Sequence, residues 1–505
     1  MKRTCNMTKR LASKEQLNTI YKSMGDNISS MYPSLLSSIK LYKELNAINE
    51  DSNRKNIWID LVRIYYFVLF CHLDIVTTLR AEFRAITIGE KRIHLKYLNV
   101  IVTEMIKAMF GFSDDKQCLW KRLNNDAGAL LNEKDKVKIE ELITKFKETY
   151  CNSDSKDCRN YAIHYDDDPL KVYSYLCNLS EEAETEKVSK FLAILHELLL
   201  IINKLSYEQQ LPLCYLQVTD NSFWERLNVF PDKNHALLSR TRNSVVSYWN
   251  TLDSIVKSYN LPNIVEQQFG IEGMSSQLQP LRETIHPGLH LLYIYIDICC
   301  AVIAYLSSEH YIERQLNLRH LNVIVYEGFK KLYGFPNSKN NQKEIGKNDN
   351  LHFSFWKDIL YPCLMSSHND CLKNKAQEID SQLQIIADDS TINDDDLRQM
   401  SVHIREKRNK DYIPRFTDKL IKMSPFLEMN KALKLLRLLP DIMKLNKEVT
   451  NIKYSDIKVL QDRKTESMRN QLEGMRDLIL QSCKDKSVQE SINESTNKLL
   501  SLLNF

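Results

Sequence analysis

Two stretches of the chain, 91–112 and 314–335, repeat each other and decide the fold. The first reads "KRIHLKYLNVIVTEMIKAMFGF" and the second reads "RQLNLRHLNVIVYEGFKKLYGF". They align without gaps, and ten of their 22 positions are identical. Both place apolar residues at helical spacing. We therefore predict an internal duplication, in which two related helical units are offset by 223 positions.

The composition favours an all-α protein. Gly (11) and Pro (12) are both scarce in 505 residues, and these residue types break helices or populate turns. The hydrophobic content of 43% and the charged content of 27% are those of an ordinary globular protein. A net charge of +4 is too balanced for a surface that coats nucleic acid broadly, but it permits a local basic groove.

The cysteines and the apolar runs indicate the cellular compartment that we expect for this chain. The 12 cysteines are scattered without a Cys-x2-Cys pair, which predicts a reducing, cytoplasmic location rather than a disulfide framework. The N-terminus lacks the apolar region of a signal peptide. The longest apolar run, 289–306, carries Asp297 near its centre. We therefore expect a buried helix there and no membrane span.

Apolar periodicity predicts four or five helices in each unit, and a duplicated bundle of this kind is expected to form a pseudo-twofold pair. In the first unit they cover 13–46, 54–86, 91–111, 134–150 and 169–205, with the last one broken near Asn178 and capped by Asp168-Pro169. In the second unit they cover 235–260, 278–306, 311–332, 370–388 and 416–447. The predicted domains are a first bundle (13–205), a linker (206–234), a second bundle (235–447) and a C-terminal helical extension (448–505).

Several polar residues lie inside the predicted apolar helices. The offset of 223 pairs Asp74 with Asp297. A buried carboxylate is costly without a partner, so we expect each aspartate to have a hydrogen-bonding or cationic partner. Their function would then be structural, with a role in a catalytic centre as the alternative. The same offset pairs further residues that should contact neighbouring helices: Asn99 with Asn322, and Glu104 with Glu327.

The stretch "CRNYAIHYDDD" (158–168) carries a polar motif between two predicted helices. An arginine and an asparagine, Arg159 and Asn160, are followed after three residues by His164. The corresponding stretch of the second unit, "REKRNKDYIPRF" (405–416), also contains an Arg-Asn pair. Its histidine position is occupied by Ile413. The first unit alone would therefore carry the complete motif.

An all-α bundle with Arg-Asn-x3-His before its last long helix resembles the HEPN superfamily (higher eukaryotes and prokaryotes nucleotide-binding). That superfamily has an Arg-x4–6-His signature and includes metal-independent RNA nucleases of toxin–antitoxin and abortive-infection systems. It also includes non-catalytic binding members. The resemblance implies an antiviral or toxin-type effector with RNA as its partner and no metal or cofactor. It also implies that the site forms where two motifs face each other.

The resemblance assigns roles to the motif residues. His164 would move the proton of the attacking 2′-hydroxyl, since an ordinary histidine titrates near neutral pH. Arg159 would stabilise the developing charge on phosphorus, and Asn160 would orient the imidazole. The facing residues of the second unit would bind substrate: Arg405, Arg408 and Asn409.

Other interpretations of the same residues remain open. Arg159 and His164 could instead cap a helix or form ion pairs with the acids at 166–168. The site could also be degenerate and bind without cutting. The chain would then be a non-catalytic scaffold or regulator that binds a protein or nucleotide, for instance through its C-terminal helices. A homodimer is a further alternative, because it would bring two His164 motifs together.

A second histidine pair occurs in "HPGLH" (286–290). Metal binding by His-x3-His needs a regular helix that carries both rings on one face. Pro287 and Gly288 lie between them, and we expect these two residues to break the helix. The sequence therefore predicts no metal site here.

Overall fold

The computed structural model describes most of the chain. The described residues are 14–48, 53–111, 118–128, 130–150, 165, 168–211, 235–269, 279–335, 354–392, 412–482 and 485–502. Within these ranges every regular element is a helix. The prediction of an all-α protein is therefore confirmed.

Seven helices form the first half of the described chain. They are α1 (Lys14–Ala47), α2 (Asn53–Arg84), α3 (Ile88–Phe110), α4 (Leu119–Ala127), α5 (Glu133–Tyr150), α6 (Pro169–Asn178) and α7 (Glu181–Glu208). The predicted break near Asn178 separates α6 from α7. Asp168 caps α6 as expected, since its carboxylate accepts the Leu170 amide at 3.1 Å.

The second half contains eight α-helices and one short π-helix. They are α8 (His235–Phe269), α9 (Gln279–Ser307), α10 (Tyr311–Leu332), the π-helix (Phe355–Leu360), α11 (Tyr361–Ser366), α12 (Asp370–Ala387), α13 (Tyr412–Lys422), α14 (Pro425–Ser482) and α15 (Lys486–Leu502). The helix predicted over 416–447 is in fact two helices, which are separated at Met423 and Ser424. The second of them continues well past 447.

The expectation that Pro287 and Gly288 break the helix is wrong. Helix α9 runs through both residues. Proline removes one helical hydrogen bond and crowds the preceding turn, but the apolar face of α9 is enclosed by neighbouring helices, and that packing outweighs the local cost. His290 is fully buried and stacks on Phe355, with ring centroids 4.5 Å apart. An added Cβ at Gly288 would meet Asn446 Nδ2 at 2.5 Å, so α14 approaches the α9 backbone closely here.

Helices α2 and α9 lie at the centre of the two halves. Helix α2 packs on α1, α3, α4 and α7, whereas α9 packs on α8, α10 and α14. The two sets meet where α3 touches α9 and where α2 touches α10. Buried residues from both halves form one continuous hydrophobic core.

One helical stretch among the described residues has the length and composition of a membrane span. It covers Thr284–Ser307 within α9, and 89% of its apolar window is buried inside the protein. A core helix of a soluble protein passes the same test. The expectation of a buried helix at 289–306 is confirmed.

Candidate functional site

The predicted motif residues lie outside the part of the chain that the structure describes. Arg159, Asn160 and His164 fall within 151–164, and the predicted substrate-binding residues Arg405, Arg408 and Asn409 fall within 393–411. Tyr165 directly follows the first segment, and α13 begins directly after the second.

Tyr165, which follows the first motif in sequence, is anchored in the protein core. Its side chain is 2% exposed, and its hydroxyl donates to Asp297 Oδ2 at 2.8 Å. Its backbone has a φ of 47°, a left-handed conformation that costs a non-glycine residue roughly 1–2 kcal/mol. The buried hydrogen bond offsets part of that cost. The residue next to His164 in sequence is therefore fixed against α9, which belongs to the predicted second unit.

Asp297 is the centre of a buried polar cluster. Lys96 of α3 donates to Asp297 Oδ2 at 2.5 Å, and both side chains are at most 3% exposed. The Lys96 ammonium also lies 4.8 Å from the Tyr97 ring centroid and 5.8 Å from that of Tyr165. Burial, together with the neighbouring Asp297 carboxylate, raises the pKa of the Tyr97 and Tyr165 hydroxyls well above the ordinary value. Both hydroxyls therefore stay protonated, and that of Tyr165 donates to Asp297.

A second buried cluster surrounds Asp74 of α2. Arg319 of α10 donates to Asp74 Oδ2 at 2.5 Å, and His320 Nε2 lies 3.3 Å from Asp74 Oδ1. Burial by itself raises the pKa of the Asp74 carboxyl, but the Arg319 charge and the His320 contact outweigh it and hold that pKa below its ordinary value. The expectation of a cationic partner is thus confirmed for both aspartates.

The two clusters are related by the same offset in sequence. Asp74 and Asp297 are 223 positions apart, and so are Lys96 and Arg319. Each aspartate pairs with the cation of the other half. This is the pattern of a twofold contact, in which residue i touches j and the equivalent of j touches the equivalent of i.

Further contacts between residues 223 positions apart lie between these clusters. Tyr97 stacks on His320 with ring centroids 5.8 Å apart, and these two residues are also 223 positions apart. Val100 packs against Val323, which stands at the same offset. Contacts of this kind are the ones that the predicted pseudo-twofold pair would place near its axis.

The expected inter-helix contacts of Asn99 and Asn322 are confirmed. Each asparagine lies against the first turns of a long helix, α7 or α14. Lys187 donates to Asn99 Oδ1 at 2.5 Å, and Asn99 Nδ2 lies 3.4 Å from Glu184. In the other half, Asn322 Nδ2 donates to Glu428 at 2.8 Å, and Glu428 is paired with Lys431.

A basic groove lies among described residues that include those following the second motif segment in sequence. It is a cavity of about 850 Å³ lined mainly by α1, α13 and the first turns of α14. Five cations line it: Lys43, Arg415, Lys419, Lys422 and Lys431. Two carboxylates line it as well: Asp418, which pairs with Lys43 at 3.3 Å, and Glu428, which pairs with Lys431 at 2.9 Å. The lining therefore carries a net charge of +3.

The sequence contains a signal for this groove outside the predicted motif residues. Arg415, Lys419 and Lys422 follow one another at i, i+4 and i+7. That spacing places them on one face of a helix. The contribution of Lys43 could not be foreseen, because it comes from α1, more than 370 positions earlier.

Among the described residues, no group of three or more His, Cys, Asp or Glu side chains could hold a metal ion. The seven described cysteines are all free. No family model matches the chain, and neither a curated protein nor a solved structure matches it.

Proposed function

We propose that this chain is a HEPN-type effector that cleaves or holds RNA without a metal ion, of the kind that toxin-type or antiviral systems use. The proposal includes the internal duplication, with two units meeting about a pseudo-twofold axis. The all-α fold supports it, as do the reciprocal ion pairs of Asp74 and Asp297 and the self-equivalent contacts between them. The motif of the first unit would act where the units meet.

In the proposed mechanism, His164 takes the proton of an RNA 2′-hydroxyl, and that oxygen attacks the adjacent phosphorus. The bond to the 5′-oxygen breaks, and a protonated histidine returns a proton to that leaving group. Arg159 stabilises the charge that develops on the phosphoryl oxygens, and Asn160 orients the imidazole. Arg405, Arg408 and Asn409 would hold the RNA backbone from the second unit.

The single observation that carries the proposal is the Tyr165–Asp297 hydrogen bond. A site assembled from two units needs its catalytic histidine to be held beside the opposite unit. Tyr165 follows His164 directly and is bonded to a buried aspartate of the opposite half, beside the Tyr97–His320 stack. A polar corner with only a local capping role would not need this long-range anchor.

The test is cleavage of end-labelled RNA in the presence of EDTA. Wild-type protein should cut, and His164→Ala and Arg159→Ala should each lower the rate at least about 100-fold, as loss of general acid–base or electrostatic catalysis does. His368→Ala is the matched control, because His368 is an exposed histidine next to α12. Absence of cleavage, or cleavage that both motif variants retain, refutes the nuclease.

One observation favours the alternative of a non-catalytic scaffold. Beyond Asn451, Thr496 is the one buried residue among those whose side chains are described. Helix α14 exposes large apolar side chains in this region, with Met475 at 60% and Leu478 at 68%. Such residues are typical of helices that contact a partner protein. Under this alternative the chain would bind a partner protein or a nucleotide in binding assays without cutting RNA.

A further inference from the structure

The C-terminal arm, which we define as residues 452–502, consists of the end of α14 and the whole of α15. Helix α15 packs along the end of α14, and Gln489 Nε2 donates to the Leu480 carbonyl at 3.5 Å. The arm contains nine cationic and eight anionic residues. A surface on which the two signs are so nearly balanced favours neither a polyanion nor an anionic membrane. Another protein surface fits it better.

A stripe of exposed, uncharged residues runs along four turns of α14 within the arm. Its members are alternately four and three positions apart, which is the spacing of the contact seam between paired helices. The stripe lies opposite the half-buried side chains of Leu472 and Leu480, and therefore opposite α15. Over about 21 Å of helix it consists of Ser467, Gln471, Gly474, Leu478 and Gln481, with Met475 beside it.

Gly474 stands at the centre of this stripe. A glycine inside a helix costs about 1 kcal/mol relative to alanine. No atom lies within 4 Å of the position that a Cβ at Gly474 would take, so no contact within the described part of the chain requires a glycine here. Glycine does allow another backbone to approach closely. The position therefore suits the crossing point of a helix from outside this chain.

The two sides of Gly474 complement each other in shape. On the C-terminal side, Met475 and Leu478 are apolar side chains that are 60% and 68% exposed. On the N-terminal side there is a shallow depression of about 410 Å³, which is lined by Glu466, Ser467, Asn470 and Gln471. A twofold axis at Gly474 pairs positions that lie equally far before and after it. Leu478 of one copy then lies opposite the depression of the other.

We propose that two copies of this chain pair through the stripe, with their α14 helices antiparallel about a twofold axis at Gly474. A pairing of two identical surfaces requires a surface that complements itself, and the stripe meets that requirement. Charged side chains lie at its edge: Asp477 forms an ion pair with Arg476 at 2.9 Å, and Glu466 borders the depression. A contact of this length is small for a protein interface, so the dimer should dissociate on dilution.

The test is sedimentation velocity of the full-length protein between about 1 and 100 μM. The wild type should shift with concentration from the 59.3 kDa monomer towards twice that mass. Gly474→Glu and Gly474→Lys each place two like charges at the axis and should weaken association at least about tenfold. Both new residues are better helix formers than glycine, so the helical circular dichroism should not fall. An equimolar mixture of the two variants should recover the dimer, because a carboxylate then meets an ammonium.

The matched control is Ser381→Glu, which adds the same charge at an exposed position of α12 and should associate like the wild type. The proposal is refuted if the wild type stays monomeric at about 100 μM, if either charged variant associates like the wild type, or if the mixture does not recover. Recovery in the mixture requires that Gly474 of one copy meets Gly474 of another. The measurement contains no RNA, so its outcome is independent of the nuclease proposal.

Discussion

Removing the charge of Asp297 tests whether the buried clusters hold the two halves together. The substitution Asp297→Asn keeps an oxygen that can accept from Tyr165, but it leaves the Lys96 ammonium buried without its counter-charge. Both side chains of this pair are at most 3% exposed. Breaking such a pair from one side costs about 3–5 kcal/mol. The cost of the substitution has an upper limit, because the buried ammonium could instead lose its proton. For a lysine of ordinary pKa at pH 7, that deprotonation costs about 4.6 kcal/mol.

The equivalent substitution, Asp74→Asn, provides an internal comparison. It leaves Arg319 buried, with 2% of its side chain exposed. A guanidinium does not lose its proton in a protein, so the upper limit that applies to lysine does not apply here. We therefore expect Asp74→Asn to destabilise the protein more than Asp297→Asn does, with a total cost near the upper end of the range of about 3–5 kcal/mol.

Urea unfolding followed by circular dichroism at 222 nm measures these changes. With a slope of about 3 kcal/mol per molar urea, Asp297→Asn should lower the midpoint by about 1 M or more. The double variant Lys96→Met/Asp297→Asn removes both charges and should recover all but about 1–2 kcal/mol. The reasoning is refuted if Asp297→Asn costs less than about 1 kcal/mol, or if the double variant is no more stable than the single one.

Three further predictions concern the core, the pH dependence and the motif. Gly288→Ala should destabilise by about 1–3 kcal/mol in the same assay, because its Cβ would meet the Asn446 amide at 2.5 Å; a change below 0.5 kcal/mol would mean that Asn446 simply moves aside. Burial and nearby cations lower the pKa of His94 to about 3. The stability that the neutral His94 contributes is therefore fully present above pH 6.5 and is lost at roughly 1.4 kcal/mol per pH unit as the pH falls towards 3. His94→Gln should flatten this pH dependence of the free energy of unfolding, and an unchanged slope would contradict the prediction. Tyr165→Phe removes the hydrogen bond to Asp297 and should lower the free energy of unfolding by about 1–2 kcal/mol. It should also lower the rate of RNA cleavage in EDTA at least about tenfold. Undiminished cleavage would show that this hydrogen bond does not position the motif.

Most of the fold could be predicted from local pattern. Helices α2, α3, α9 and α10 carry long apolar runs at helical spacing, and the scarcity of glycine and proline excluded most alternatives. The prediction missed α4, which has only nine residues and a polar composition. It also ended the last helix of the second unit at 447, whereas α14 extends to Ser482. Polar helical residues without an apolar stripe give little signal of a boundary.

The candidate sites could be predicted only in part. The expectation that Asp74 and Asp297 have cationic partners followed from the cost of burying a carboxylate. The identity of those partners did not follow, because Lys96 and Arg319 each come from the other half of the chain. The basic face of α13 was readable at i, i+4 and i+7, but the groove also needs Lys43 and the start of α14.

The sequence by itself determined that the chain is helical and that Asp74 and Asp297 need partners, because helical periodicity and the cost of buried charge are local properties. It also showed the 22-residue similarity between the halves. Only the tertiary structure decided how the halves meet, with each aspartate on the cation of the other half and Tyr97 against His320. Contacts between residues more than 200 positions apart depend on how whole helices pack, and no local pattern encodes that arrangement.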